Sequence, residues 1–104
     1  MPVMHHGLQT LFAALANRGL AVLAWYEREH AIGLVLACGH VVELERRRAC
    51  GEPYAVADML AAHLPRRSVA RDYDPAAVPE INPATAQWWV FLRWCVMHES
   101  EVKR

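Results

Sequence analysis

Cysteine and histidine carry the widest chemical repertoire in this chain, and two of their groupings are close in sequence. Cys38-Gly39-His40 lies in a glycine turn, and Cys95 and His98 stand three apart in an apolar stretch; Cys50 and His63 are further candidates. Two thiolates and two imidazoles make a tetrahedral zinc site, usually as closely spaced pairs. These residues lack that paired spacing. Cys95 reads instead as a small core residue, Cys38 as a turn residue and His98 as a surface cap near a helix end. The residues therefore assign no metal and no cofactor. A Cys–His nucleophilic pair needs the two side chains adjacent in space, which spacing alone does not establish.

Other catalytic signatures are missing. The chain has no Gly-x-Ser-x-Gly, Ser68 and Ser100 are its only serines, and it holds no phosphate-binding loop and no Gly-x-Gly-x-x-Gly. Glu43 and Glu45 alternate along a strand and so share a face, where two carboxylates can do acid–base work. With no cleft motif beside them, they read as the solvated outer face of a sheet. Arg46, Arg47 and Arg48 form one basic group, and Arg66, Arg67 and Arg71 another. If the two groups met beside Trp25 or Tyr26, they would suit single-stranded nucleic acid, which cationic grooves and stacking rings bind together. Against this stand Glu43, Glu45, Glu52 and Asp72, and a formal net charge of zero.

These residues need a frame, and Leu20 to Arg46 supplies it. Its apolar runs are separated by a polar turn, Glu27 to His30, and by the glycine turn, so it reads as a three-stranded meander. The register of the second hairpin follows from the pattern. A two-residue loop at Cys38-Gly39 pairs Leu34 with Glu43 and Ile32 with Glu45, placing acids opposite the core face. A three-residue loop, Ala37-Cys38-Gly39, pairs Leu34 with Val42 and Ile32 with Leu44. That loop form ends in a left-handed residue, so Gly39 is predicted to have positive φ. Glu43 and Glu45 then face outward.

Helices flank the meander. After an irregular lead over 1–7, Leu8, Leu11, Phe12 and Leu15 share one helical face, and Asn17-Arg18-Gly19 ends the helix. Arg46 to Glu52 reads as a loop, Pro53 opens a second helix with Val56, Met59, Leu60 and His63 on one face, and Pro65 stops it. Arg66 to Tyr73 is a candidate fourth strand, at an edge because charge flanks Val69. Residues 74–82, with Pro75 and Pro79, read as an extended linker to the last helix. Asn82-Pro83 opens that helix, which is predicted to reach Glu99. The fold class is α+β: one domain over residues 1–104, a small antiparallel meander of three or four strands covered by three helices. Apolar residues make up 55% of the chain, enough for one core or for a core and a covered face. The odd cysteine count without framework spacing suits a reduced cytoplasmic protein. The most apolar stretch, Ala84 to Met97, is too short for a membrane span.

The last helix is the unusual element. One stripe holds Trp88, Leu92, Cys95 and Glu99, and the opposite stripe holds Val90, Trp94 and Met97. A helix apolar on both sides is either buried all round or covered by a partner. One stripe suffices to dock it, so Val90, Trp94 and Met97 are the candidate partner-binding residues, and a homodimer is the simplest partner.

The order of these features resembles the bacterial PATAN-type domain, found in some response regulators and stand-alone signalling proteins. Gly19 begins the first strand as in that family. Cys38-Gly39-His40-Val41-Val42-Glu43 occupies its turn stretch, Cys50-Gly51-Glu52-Pro53-Tyr54-Ala55 its helix opening, and Val78 to Thr85 with the Trp-rich segment its tail. The likeness spans about Leu8 to Glu99. The chain carries Cys38 where the family has Asp, and tryptophans where leucines are usual. The resemblance implies a non-enzymatic adaptor in bacterial signalling, acting on another signalling protein or on itself, and it transfers no catalytic residues. The alternatives are a small nucleic-acid-binding regulator using the two arginine groups, and a Cys/His metal or thiol enzyme.

Overall fold

The computed structural model describes residues 6–82 and 96–97. The first helix, α1 (His6–Asn17), begins two residues before the predicted start and turns Leu8, Leu11, Phe12 and Leu15 inward. It closes as the sequence requires. The amide of Gly19 donates to the Ala16 carbonyl and that of Leu20 to the Leu15 carbonyl, the two bonds of a Schellman cap. Gly19 makes this bend at φ +83°, where a side chain is strained.

The meander follows as β1 (Val22–Arg28), β2 (Ala31–Leu36) and β3 (Val41–Glu45), paired antiparallel in order. Leu34 faces Val42 and Ile32 faces Leu44, the register of the three-residue loop. Gly39 has φ +94°, and its amide donates to the Leu36 carbonyl at 3.0 Å. A Cβ added at Gly39 meets nothing within 4 Å. Gly39→Ala is therefore expected to cost only the left-handed backbone strain, ~1 kcal/mol, read as a lower urea midpoint with an unchanged slope. A midpoint equal to wild type would refute the strain.

One face of the sheet is covered by helices. Val22, Trp25, Ile32, Leu34, Leu36, Val42 and Leu44 lie in one apolar cluster with Leu11, Phe12 and Leu15 of α1 and with Val56, Ala57 and Leu60 of α3 (Pro53–His63). Trp25 belongs to this core. A bulge makes that placement possible: Val22 pairs with Leu36 and Ala24 with Val35, leaving Leu23 as the extra residue, exposed to solvent. The insertion shifts the alternation by one, so Val22 and Trp25 both point to the helices.

Four expectations are corrected. Arg46–Gly51 is a helix, α2, and not a loop. The helix seats Ala49 in the core against α1, where Gly7 lets the backbones meet: a Cβ there would lie 2.4 Å from the Cys50 carbonyl oxygen. Tertiary approach, invisible to periodicity, selects that helix.

Residues 66–73 are not a strand. The amide of Arg67 donates to the Gly19 carbonyl, and the Tyr73 hydroxyl takes the Val22 amide at 3.1 Å and donates to the Val22 carbonyl at 3.0 Å. One phenol thus satisfies the backbone groups that an added strand would have paired.

The linker does more than cross the surface. It makes a 3-10 turn at Pro75–Ala77, capped by the Asp74 carboxylate, and buries Val78 in the core. It then runs parallel beside β1: the Trp25 amide donates to the Pro79 carbonyl and the Ile81 amide to the Trp25 carbonyl.

The helix predicted to reach Glu99 does not include Val96–Met97. These residues form β4, parallel to β3 and paired with Val41 and Val42. Ladder bonds to a free sheet edge replace helical ones there. The rest of the Pro83–Glu99 prediction, with Trp88, Val90 and Trp94, lies outside the described residues. The fourth strand of the sheet is thus β4, and both edges of the meander are capped in part, as edge strands must be to avoid open pairing.

Candidate functional site

Three groupings of chemically capable side chains emerge, and only one was anticipated as a pair. At the tip of the β2–β3 hairpin, Cys38 Sγ lies 3.4 Å from His40 Nδ1. Gly39 causes this meeting. Its left-handed turn folds the two flanking residues to one side, and the Leu36 amide holds the His40 carbonyl at 2.9 Å. Both side chains are half-buried, and Cys38 rests against the edge of the core. The adjacency that sequence left open is present. Among the described residues no three His, Cys, Asp or Glu side chains cluster to hold a metal ion. Cys50 lies elsewhere, at the α1–α2 contact, where burial pushes its thiol up and the Arg46 charge opposes the shift.

The second grouping lies on the sheet face away from α1 and α3. Glu43 was expected to face solvent; it is 5% exposed, the one buried charged residue among those described. Its carboxylate accepts from the Tyr26 hydroxyl at 2.5 Å and from Arg28 at 3.1 Å. The register sets this up. Tyr26, Gly33 and Glu43 are cross-strand neighbours in one row over three strands. The Tyr26 ring lies directly over Gly33, where a Cβ would fall 2.0 Å from a ring atom. Glycine on the middle strand lets the phenol of the first strand reach the acid of the third. Ala24, Val35 and Val41 bury beside it, with Ile81 packed against them. Burial, then the hydrogen bond to Glu43 and its negative charge, raise the Tyr26 phenol far above the usual tyrosine value; Arg28 acts weakly the other way. A glycine inside a strand was the available sign of this approach. Glu45 does face solvent, as expected.

The arginines form the third grouping, and the fold divides it. Arg46 pairs with Glu27 and Arg48 with Glu52 near the α1 N-terminus, where α2 meets Gly7. Arg66 and Arg67 lie against Gly19 at the α1 C-terminus. The length of α1, ~18 Å for its 12 residues, separates the two sets. Arg66 and Arg67 line an open concavity of about 820 Å³ together with Arg18 and Ser68; Arg18 is engaged by Asp58 at 2.6 Å. Arg71 is exposed in a turn.

The geometry thus offers a thiol–imidazole pair, a buried phenol–carboxylate–guanidinium row and two separate basic surfaces. Of the predicted partner-binding residues, Met97 is in β4, while Val90 and Trp94 lie outside the described residues. No family model, no curated protein and no solved structure matches the chain. Among the described residues no helix is long and apolar enough to cross a membrane.

Proposed function

We propose that the chain is a non-enzymatic protein–protein interaction adaptor of bacterial signalling, working in the cytoplasm and most simply as a homodimer, with Val90, Trp94 and Met97 at the contact. The observation that carries the reading is β4. Val96–Met97 adds in parallel to the edge of β3, so the end of the Trp-rich segment is tied to the sheet. Edge addition of an extended segment is a common way for small sheets to recruit chain, from themselves or from a partner. Trp94 stands two residues before that anchor, and tryptophan at such a position is a characteristic hot-spot residue. The PATAN-type resemblance favours the same class of function.

The test is Trp94→Glu. Sedimentation of the wild type should show a dimer, and the variant should sediment as monomer with an unchanged far-ultraviolet circular dichroism spectrum. A wild type that stays monomeric at high concentration, with its tryptophans closed to a soluble quencher, refutes the homodimer. The nucleic-acid alternative finds less support, since its two arginine groups stand at opposite ends of α1 and Arg46 and Arg48 are paired. Strongly salt-dependent binding to random oligonucleotides would revive it.

A further inference from the structure

We propose that Cys38 and His40 form a reactive thiol site whose ligand class is the low-molecular-weight disulfide, taken up by thiol–disulfide exchange. The site goes beyond the interaction reading and does not depend on it. Cys38 is not a cysteine standing by itself: its sulfur has an imidazole nitrogen at hydrogen-bonding distance for sulfur, 3.4 Å. The pair is held, since Gly39 sets the turn, the His40 carbonyl is bonded to the Leu36 amide, and the Cys38 side chain leans on the core. It is also reachable, because both residues are half-exposed at a hairpin tip. Among the described residues no other charged side chain lies within hydrogen-bond or ion-pair distance of either, so the imidazole is the group that can take the thiol proton. Thiolates and not thiols are the nucleophiles in exchange, and an adjacent base can take the thiol proton as attack begins.

The step balances. The Cys38 S–H proton passes to His40 Nδ1, which requires the neutral ring to carry its hydrogen on Nε2 beforehand. The thiolate attacks the nearer sulfur of R–S–S–R. A bond forms between Cys38 Sγ and that sulfur, the reagent's S–S bond breaks, and R–S⁻ leaves and collects the proton from the imidazolium. Cys38 is oxidised to a mixed disulfide and the departing sulfur is reduced to a thiol. Cys50 does not share this arrangement. It sits where two helix backbones meet, and burial holds it as the thiol.

The experiment uses the full chain with glutathione disulfide as the probe, and peptide mass mapping at low conversion to locate the adduct among Cys38, Cys50 and Cys95. Adduct is expected first at Cys38. His40→Gln is expected to slow it at least about tenfold at neutral pH and to change the shape of the rate–pH curve, whereas a merely structural role would leave that shape unchanged. First labelling at Cys50 or Cys95 overturns the proposal, and so does a His40→Gln variant with unchanged rate and profile. Should that variant fail to fold, the wild-type curve decides: a second inflection below the thiol's supports the pair, and a single thiol ionisation overturns it.

Discussion

Gly33→Ala is expected to destabilise the domain by ~3 kcal/mol, more than alanine for glycine in a strand ordinarily does. Strand propensity alone would favour alanine slightly. The added methyl instead lands 2.0–2.5 Å from three atoms of the Tyr26 ring, a separation that carbon atoms do not tolerate. The ring cannot simply swing away, because it is 1% exposed and its hydroxyl is committed to Glu43. Overpacking of this kind costs roughly 1–3 kcal/mol, and losing a hydrogen bond to a charged acceptor adds to it. The mechanism predicts strong coupling. In a Tyr26→Ala background the same Gly33→Ala change should cost little, so a double-mutant cycle should return ~2 kcal/mol of interaction. Urea unfolding of the four proteins measures it. Additive effects would show that Tyr26 is not what Gly33 accommodates.

Tyr26→Phe carries the second large effect, ~2 kcal/mol of lost stability. The substitution removes one hydroxyl and leaves buried Glu43 paired with Arg28, whose guanidinium is largely exposed. Breaking a buried polar pair from one side is the expensive direction. Replacing both partners is not. Tyr26→Phe with Glu43→Leu should recover to within about 1 kcal/mol of wild type, because the row becomes apolar and no group is left wanting a partner. A double variant less stable than Tyr26→Phe alone would show that the carboxylate has a role beyond meeting the phenol and Arg28.

The phenol also gives this row an alkaline signature. Its pKa is raised on folding, so the unfolded chain loses the proton first. The associated stability is complete below about pH 10, the ordinary tyrosine value, and falls as pH rises from there towards the folded value, by at most ~1.4 kcal/mol per pH unit. Tyr73 is shifted in the same direction, by burial first, with the Asp74 charge adding and the Val22 backbone bond opposing. The Cys50 thiol, also raised by burial, adds to the wild-type slope alongside the two phenols, so Tyr26→Phe should make it shallower without abolishing it. Urea midpoints measured between about pH 9 and 11 would show this, and equal slopes in both proteins would argue against a protected Tyr26.

Sequence by itself determined what depends on local pattern and on turn geometry. The α+β class, the meander, its register and the left-handed Gly39 all follow from period-2 alternation combined with one glycine: a slip of a single residue would have turned Glu43 and Glu45 into the core, and only one loop length avoids it. The end of α1 at Gly19 and the start of α3 at Pro53 were legible for the same reason, since a left-handed cap and a first-turn proline act within a few residues. Tertiary structure decided what depends on groups distant along the chain. The helix at Arg46–Gly51 exists where Gly7 admits its backbone, and the stretch 66–73 stays out of the sheet where the Tyr73 hydroxyl already satisfies Val22. Val96–Met97 takes ladder bonds from the open edge of β3, which helical periodicity could not reveal. Glu43 shows the division most clearly. Alternation correctly assigned it to the face away from α1 and α3, but alternation says nothing of what else lies on that face. A phenol reaching across a glycine, with an arginine beside it, supplied the partners that make burying a carboxylate tolerable.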